Sequence, residues 1–412
     1  MRRFTLMSVL VLLVALIPAT SVSATSGTLL LDKNTTLKAD HLGNVVIVDD
    51  GVKLNCAGHT IDGLAVGSAV VIVGRTGVTV RNCNVTNAEF IGILVVDSIN
   101  TTLARNTVWA NGEDGIRVTQ GSTGGVIGSN SVHDNFRNGI ALGPGAADNL
   151  IVHNTADNNV DFGFASDGGG NTYLRNSASG NSDGFGMFHS SGNELTDNTA
   201  IGNSSDGFQF NSSNGNLVAG NEATHNVFGF SFFQSDGNEV WGNVSNLNAL
   251  GFVLDQAHGN DFRANTGNNN GSTGFFVAGS LNNDFKNNTA SNNAFRGFSY
   301  NGSDGGTFIG NTAANNGTHG VVLDFSVNIS LVGNTSNNNG DVGFVFASAD
   351  NNEFTANSAF NNAFGFRADG TSSGNVLTGN EGCNNSILDA ADDSIGTGNT
   401  WIDNVFCTSA GF

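Results

Sequence analysis

The side chains most able to do chemistry stand between residues 105 and 175, where histidines and a tryptophan occur among arginines and aspartates. Histidine transfers protons near neutral pH, and arginine and aspartate stabilise charge beside it. The catalytic candidates are His133, His153, Asp157 and Arg175. An indole ring stacks on the apolar face of a sugar, while arginine and aspartate bind hydroxyls or carboxylates. The candidates for substrate binding are Arg105, Trp109 and Asp134. These seven residues act together only if the fold brings them to one surface.

A repeated asparagine indicates which elements position them. An Asn recurs 15 times at separations of 22 to 24 residues, and a second Asn follows five residues after each of the first 14. Two unbroken columns at one fixed offset predict a repeat architecture. The second column runs from Asn87 to Asn385. The first column is Asn82, Asn106, Asn130, Asn154, Asn176, Asn198, Asn221, Asn243, Asn265, Asn288, Asn311, Asn334, Asn357, Asn380 and Asn404.

Apolar residues form columns of their own around the asparagines. A Gly-Phe step follows the second Asn, as at Gly184 and Phe185, and another apolar residue stands two positions later. This spacing is typical of strands, and no window shows helical spacing. We therefore predict an all-β fold, a single-stranded right-handed parallel β-helix of about 15 coils with 22–24 residues per coil. Stacked coils lie about 4.8 Å apart, so each inward Asn amide is expected to bond the equivalent amide one coil away.

The seven candidates flank the first Asn column at positions expected to face outward. Three of them stand one residue before an Asn of that column, and three stand three residues after one. With Asp134, they would share one face over four adjacent coils. Outward positions on any solenoid are polar, so a solvated surface without a site is the competing interpretation.

Signatures of particular enzymes are not found in the sequence. Glycoside hydrolysis needs two carboxylates within about 10 Å, and no column supplies such a pair convincingly. A calcium-dependent lyase needs clustered acidic ligands and a base, for which Arg117 with Asp97 and Asp114 is the nearest arrangement. The eight His show no paired spacing and the three Met make no soft copper site, so no metal site is predicted. The sequence does not identify a cofactor. Calcium binding is compatible with it, although no clear calcium-binding motif is present.

Four cysteines in an exported chain predict disulfides. Cys56 and Cys83 each follow an Asn in the opening coils, and Cys383 and Cys407 each stand three residues after a repeat Asn. Each pair then occupies one column in adjacent coils, at a separation that suits a disulfide. The predicted pairs are Cys56–Cys83 and Cys383–Cys407, and four free buried thiols are the alternative.

One outward column turns apolar in the later coils. It lies between the two stacked apolar columns and contains Val253, Phe276, Val322 and Val345. An exposed stripe of this kind marks a partner surface, and cover by a longer loop is the alternative.

The ends of the chain and its charge indicate where the protein works. Arg2 and Arg3, the apolar run from Leu6 to Ile17 and the small residues at 22–24 predict a signal peptide over residues 1–24. The rest is expected to divide into a cap with irregular coils at 25–76, regular repeats at 77–404 and a C-terminal cap at 405–412. A formal charge of −20 excludes nucleic acid as a probable partner class. We expect a protein with no transmembrane segment in its mature form, secreted or held at the cell surface, in the extracellular space or the periplasm.

Residues 45 to 404 resemble the right-handed parallel β-helix repeat proteins, which include the pectate-lyase-like enzymes and the NosD-type periplasmic proteins. The most similar stretch runs from Leu54 to Gly63 and is followed by Gly77 to Cys83. The resemblance implies the fold and leaves the activity open, because this fold hosts lyases, hydrolases, epimerases, adhesins and non-enzymes. Similarity to NosD implies a metal-related periplasmic role, which the spacing of His and Met does not reproduce.

The sequence therefore favours a secreted or cell-surface β-helix that binds an extracellular polysaccharide. Cleavage or modification of that polysaccharide is left open, and it would be of lyase or hydrolase type. The competing function is a non-catalytic structural or adhesion solenoid that contacts a cell-surface protein. Whether the chain is an enzyme, and its oligomeric state, are left open.

Overall fold

The computed structural model describes residues 24–394 and 398–411. All regular structure in these residues is β-strand, and the strands stack in parallel into three sheets over about 16 turns. The predicted right-handed parallel β-helix is confirmed. The predicted signal peptide lies outside the described residues, apart from Ala24. No helix in the described ranges is long and apolar enough to cross a membrane.

Sheet A follows the first Asn of each repeat and is interrupted once, between residues 246 and 289, where single bridges through Thr266 continue the stack. Its strands are Thr25–Ser26, His41–Leu42, Thr60–Asp62, Asn84–Thr86, Thr107–Trp109, Ser131–His133, Thr155–Asp157, Ser177–Ser179, Thr199–Ile201, Glu222–Thr224, Val244–Asn246, Thr289–Ser291, Thr312–Ala314, Thr335–Asn337, Ser358–Phe360, Glu381–Cys383 and Val405–Phe406.

Sheet B follows the second Asn and contains the Gly-Phe steps. Its strands are Leu29–Leu31, Val45–Ile47, Val70–Val73, Ile93–Val96, Ile116–Thr119, Ile140–Leu142, Phe162–Ser166, Asp183–Phe188, Asp206–Asn211, Phe228–Phe233, Leu250–Asp255, Phe275–Ala278, Phe298–Asn301, Val321–Asp324, Val342–Ala347, Phe364–Ala368, Leu388–Asp392 and Ser409–Ala410.

Sheet C precedes the first Asn and completes each coil. Its strands are Thr35–Thr36, Lys53–Asn55, Thr79–Arg81, Thr102–Ala104, Val126–Gly128, Leu150–Val152, Thr172–Leu174, Glu194–Thr196, Leu217–Ala219, Glu239–Trp241, Asp261–Arg263, Asp284–Lys286, Thr307–Ile309, Ser330–Val332, Glu353–Thr355, Val376–Thr378 and Thr400–Ile402.

Stacked phenylalanine rings fill the interior on the sheet B side. From Phe164 to Phe298 seven rings lie one above another, with neighbouring centroids 4.5 to 4.9 Å apart. This spacing equals the distance between parallel strands, so each ring packs on the same residue type in the next coil. The predicted Phe column is therefore the apolar core that holds successive coils in register.

The two predicted Asn columns form buried ladders at two corners of each coil. Asn106 Nδ2 donates to Asn130 Oδ1 at 3.0 Å, and the Asn106 backbone N–H donates to the same oxygen at 2.9 Å. The second hydrogen on Asn106 Nδ2 is directed at the Val80 carbonyl at 3.1 Å. Each amide thus satisfies backbone groups that a corner would otherwise bury unpaired, which confirms the predicted amide-to-amide bonding.

A third ladder, which the sequence analysis missed, lies at the corner between sheets B and C. Asn149 and Asn171 illustrate it, with the Asn149 Nδ2 and backbone N both donating to Asn171 Oδ1. Its members stand five residues before an Asn of the first column. They are Asn149, Asn171, Asn193, Asn216, Asn238, Asn260, Asn283, Asn352, Asn375 and Asn399.

Both predicted disulfides are present. Cys56 bonds Cys83 and Cys383 bonds Cys407, with Cα–Cα distances of 4.7 and 5.2 Å that match stacked coils. No cysteine in the described residues is free. The pairs join neighbouring coils near the two ends of the solenoid.

The apolar column of the later coils is not a continuous exposed stripe. Val253 and Val322 are only 5% and 4% exposed, whereas Phe276 and Val345 are half-buried. Each stacks directly on its neighbours, Val253 on Phe276 and Val322 on Val345. The column therefore covers much of itself, and the case for a protein-binding stripe is weakened.

Candidate functional site

Three of the seven predicted site residues lie on the outer side of sheet A, and a fourth, Asp134, lies beside them at the left-handed turn that ends the strand Ser131–His133. Trp109, His133 and Asp157 occupy equivalent positions of three successive strands. The Trp109 and His133 rings are nearly parallel, 10° apart, with centroids 6.1 Å apart. His133 Nδ1 lies 2.7 Å from Asp134 Oδ2, an arrangement that fixes the imidazole orientation. We call Trp109, His133, Asp134 and Asp157 the Trp109 face.

The other three predicted residues lie at the corner between sheets C and A instead of on a strand. Arg105, His153 and Arg175 have φ angles of 53° to 55°, because each makes the left-handed turn that swings the following Asn inward. Arg175 Nε lies 3.5 Å from Asp197 Oδ2, and both side chains are well exposed. These three therefore lie outside the outward strand positions expected for them, and they border the Trp109 face as a column along its edge.

Sheet B carries a second cluster, which contains Arg117 and Asp114 of the arrangement that the sequence offered for a lyase. Arg117 points outward from this sheet, and its Nε lies 2.7 Å from Oδ2 of Asp114, whose side chain is fully buried. Asn138 Nδ2 donates to the other oxygen of Asp114 at 2.8 Å. Burial raises the pKa of Asp114, and the Arg117 charge opposes that rise. The buried carboxyl therefore holds the guanidinium in one place.

Small residues make a depression beside Arg117 on the same sheet. In the outward column Arg117 is followed, coil by coil, by Ala141, Ala165 and Gly186. Phe162 and Phe188 meet edge to face over Gly186, with centroids 5.2 Å apart. A Cβ at Gly186 would lie 2.6 Å from the Phe162 ring, so this closing contact requires glycine.

Charged side chains form the two sides of this depression. Arg137 Nε lies 3.7 Å from Asp161 Oδ2 on one side, and Asp167 lies beside Gly143 on the other. The depression forms an open cavity with a volume of about 160 Å³. We call it the Arg117 pocket. It is lined by Arg117, Arg137, Asn138, Ala141, Leu142, Gly143, Asp161, Phe162, Ala165, Asp167 and Phe188.

Two buried carboxyls continue the face of sheet B beyond the pocket. Asp183 stacks on Phe162, and its Oδ1 accepts the Asp206 backbone N–H at 2.8 Å. Asp206 is 3% exposed and accepts a short hydrogen bond from the Ser231 hydroxyl. Burial raises the pKa of Asp206 to about 6, and the neighbouring Asp183 charge adds to the rise while the Ser231 bond opposes it.

A signal for this face was present in the sequence. The residue before the Gly of each Gly-Phe step is acidic at Asp183 and Asp206, and the equivalent positions near the pocket are Asp114 and Asn138. The apolar column noted in the sequence, at Val253 and Phe276, is the later part of the outward column of sheet B. The Ala, Ala, Gly run that makes the depression is the earlier part of the same column and was not recognised from the sequence.

Comparison with known proteins gives two family matches. The model described as "Right handed beta helix region" matches residues 22–179. The model described as "Periplasmic copper-binding protein (NosD)" matches residues 169–249 and 245–408, more than half of the chain. The search of curated proteins gave no match.

Solved structures show the same fold at low identity. The N-terminal fragment of bacteriophage Phi29 gene product 12 is 12% identical over 92% of this chain and 87% of its own, with a TM-score of 0.50. The Dettilon tailspike protein is 16% identical over 68% of this chain, with a TM-score of 0.49, and the chain spans 60% of that protein's length. The Azotobacter vinelandii mannuronan C-5 epimerase AlgE6 A-module is 14% identical over 94% and 91%, with a TM-score of 0.39. At 12% identity the likeness to gene product 12 shows the fold alone.

The described residues do not fit a copper site. Copper prefers soft thiolate or thioether ligands or grouped imidazoles. The group of potential ligands close enough for one ion is Cys383, Asp389 and Cys407, and its two sulfurs are joined in a disulfide. The described methionine, Met187, is buried in the core.

Proposed function

Because the chain belongs to the right-handed parallel β-helix repeat proteins of the pectate-lyase-like and NosD-like superfamily, we propose that it binds an extracellular polysaccharide on its outer surface. We propose that the protein is secreted, held at the cell surface or located in the periplasm. Two disulfides support an oxidising compartment, and the sequence at residues 1–24 supports export. The family itself is compatible with enzymes and with non-enzymes.

The observation that carries this proposal is the order of side chains along the Trp109 face. An indole and an imidazole lie parallel in successive coils, and carboxylates lie beside and beyond them. A sugar ring offers an apolar face to such rings and hydroxyls to such carboxylates. The stack also follows the solenoid axis, so consecutive sugars of one chain would meet consecutive coils.

Catalytic modification is proposed at the same face. His133 is the proton-transferring group, held by Asp134, and Asp157 lies one coil further along the column. His153 and Arg175, at the bordering corner, would contact a bound chain from its side. The non-catalytic solenoid remains the second candidate, and it has less support because Val253 and Val322 are buried.

The decisive experiment compares two tryptophan variants on a glycan array. Trp109→Ala should weaken binding of any glycan that the wild type binds by about tenfold. Stacking of an indole ring on a sugar ring contributes on the order of 1 kcal/mol or more to binding. Trp241→Ala is the matched control, because Trp241 is 49% exposed on sheet C, away from the Trp109 face. It should bind as the wild type does.

Two results would contradict the proposal. Wild type that binds no glycan at all refutes polysaccharide binding. Equal loss of binding in Trp109→Ala and Trp241→Ala would remove the Trp109 face as the site. A parallel lyase and hydrolase panel with His133→Gln tests modification, and turnover unaffected by that change excludes His133 as the proton-transferring group.

A further inference from the structure

We infer that the Arg117 pocket binds one uncharged sugar ring, so that the polysaccharide is a neutral one. This inference rests on the proposed function and adds to it a second binding site on sheet B and a substrate class. The argument uses the shape of the cavity, the groups that line it and their charge balance.

The cavity has the shape of a single-ring site. Arg117 bounds one end, and Phe162 and Phe188 close the other end over Gly186. Three coil steps separate Arg117 from Gly186, about 14 Å at the spacing of parallel strands. Between these ends only alanine side chains cover the sheet, which leaves the cavity of about 160 Å³. A cavity of this volume can accommodate one sugar unit but is too small for a helix or a strand.

The lining offers both donors and acceptors in fixed positions. Asp114 pairs with Nε of Arg117 and Glu113 lies 3.7 Å from its Nη1, which leaves Nη2 of that guanidinium to donate to a ligand. Asp167 is exposed, and among the described residues its carboxylate has no side-chain hydrogen bond or ion pair. Arg137 and Asp161 add a donor and an acceptor on the opposite side. Adjacent hydroxyls of a sugar donate and accept at once, so this mixed lining matches them.

The charge balance disfavours an acidic sugar. Two guanidinium groups, on Arg117 and Arg137, stand against four carboxyls, on Glu113, Asp114, Asp161 and Asp167. A bound carboxylate would therefore find no surplus positive charge to pair with, and its desolvation would be uncompensated. The protein as a whole carries −20, so a polyanion is also repelled at long range.

The test measures binding of neutral and acidic oligosaccharides of equal length to the full chain by titration calorimetry. The neutral probes are gluco-, galacto- and manno-oligosaccharides, and the acidic probes are oligogalacturonates. Ala165→Leu fills the cavity from its floor. Gln209→Leu adds a leucine in the same outward column, beyond Gly186 and outside the pocket, and is the matched control.

We expect the wild type to bind a neutral probe at least about tenfold more tightly than the acidic one. Ala165→Leu should weaken the neutral probe about tenfold, and Gln209→Leu should stay within about twofold of the wild type. Asp167→Asn, which keeps the shape and removes one acceptor charge, should weaken it by a smaller factor. Circular dichroism of each variant establishes that the β-helix is intact.

The outcomes separate this inference from the proposed function. Tighter binding of oligogalacturonate, or equal binding by Ala165→Leu and wild type, overturns the neutral-sugar pocket while polysaccharide binding stands. Loss of binding in Ala165→Leu with retained binding in Trp109→Ala supports the pocket and refutes the Trp109 face. No binding of any glycan by the wild type overturns both.

Discussion

Replacing one asparagine in the middle of a ladder tests the physical basis of the fold. Asn198 is almost fully buried, and its Nδ2 donates to the Tyr173 carbonyl at 2.8 Å and to Asn221 Oδ1 at 3.0 Å. Its Oδ1 accepts from both the backbone N and the Nδ2 of Asn176, at 2.9 and 3.0 Å. Asn198→Ala therefore removes four hydrogen bonds at once.

The cost follows from what is left unpaired. Asn176 Nδ2 keeps its bond to the Ile151 carbonyl, but the Asn176 backbone N–H loses its acceptor inside the protein. A buried donor without a partner costs about 1–3 kcal/mol, and the other lost bonds add about 1 kcal/mol each. We expect Asn198→Ala to reduce the free energy of unfolding by about 4–6 kcal/mol.

The assay compares this variant with a half-buried asparagine that belongs to no ladder. Asn211 lies on the outer side of sheet B, where its Oδ1 accepts one bond from Ser212 at 3.2 Å, and Asn211→Ala should change stability by no more than about 0.5 kcal/mol. Denaturant unfolding gives the overall effect, and hydrogen exchange read by mass spectrometry gives the local one. The backbone N–H of Asn176 should lose protection first, since stability in a repeat protein is a sum over neighbouring coils. Equal stability of the two variants would refute the claim that the amide ladder supplies hydrogen-bond partners to the buried backbone groups at the corners.

Three further predictions concern the core, a buried carboxyl and the C-terminal disulfide. Phe208→Ala, which leaves a gap in the ring stack, should cost about 3–5 kcal/mol of unfolding free energy in a denaturant titration, and a loss below 1 kcal/mol would exclude ring stacking as a main contribution. Because the folded pKa of Asp206 is about 6 against 3.8 for the free side chain, folding favours its protonated form, so stability should fall as pH rises from 4 to 6. Asp206→Asn should abolish that fall, on the order of 3 kcal/mol, and an unchanged pH dependence of the melting temperature would contradict the assignment. Cys383→Ser with Cys407→Ser should speed hydrogen exchange in the last coil and leave the coil around Cys56 unchanged, whereas exchange unchanged at both ends would show that the bond is not needed there.

Prediction from the sequence succeeded where one residue type recurs for one physical reason. Each Asn of the first column points inward at a corner and makes the same hydrogen bonds. The column could therefore be found by counting residues between asparagines. The third ladder was missed because Gly306 and Ile329 break its column, although its fixed distance of five residues before the first column was visible. The disulfides were predicted because the same counting places each pair in adjacent coils.

The candidate sites show the limit of this reasoning. Trp109 and His133 were correctly placed in one column, because strand residues alternate between the two sides of a sheet. Arg105, His153 and Arg175 were assigned to the same strand, but they make the corner turns, and a column pattern does not distinguish a strand from a corner. The Arg117 pocket depends on absent side chains at Ala141, Ala165 and Gly186, and a depression has no sequence signature of its own.

The parallel β-helix, its coil length, the inward amides and rings, and the two disulfides could all be predicted from the residue pattern. All of these follow from repetition, since identical residues stacked about 4.8 Å apart impose the same contact on every coil. Which outward side chains meet is visible in the folded molecule and not in the pattern. The corner angles and the sizes of neighbouring side chains set where Arg117 is held by Asp114 and where Phe162 reaches Phe188, and neither is periodic.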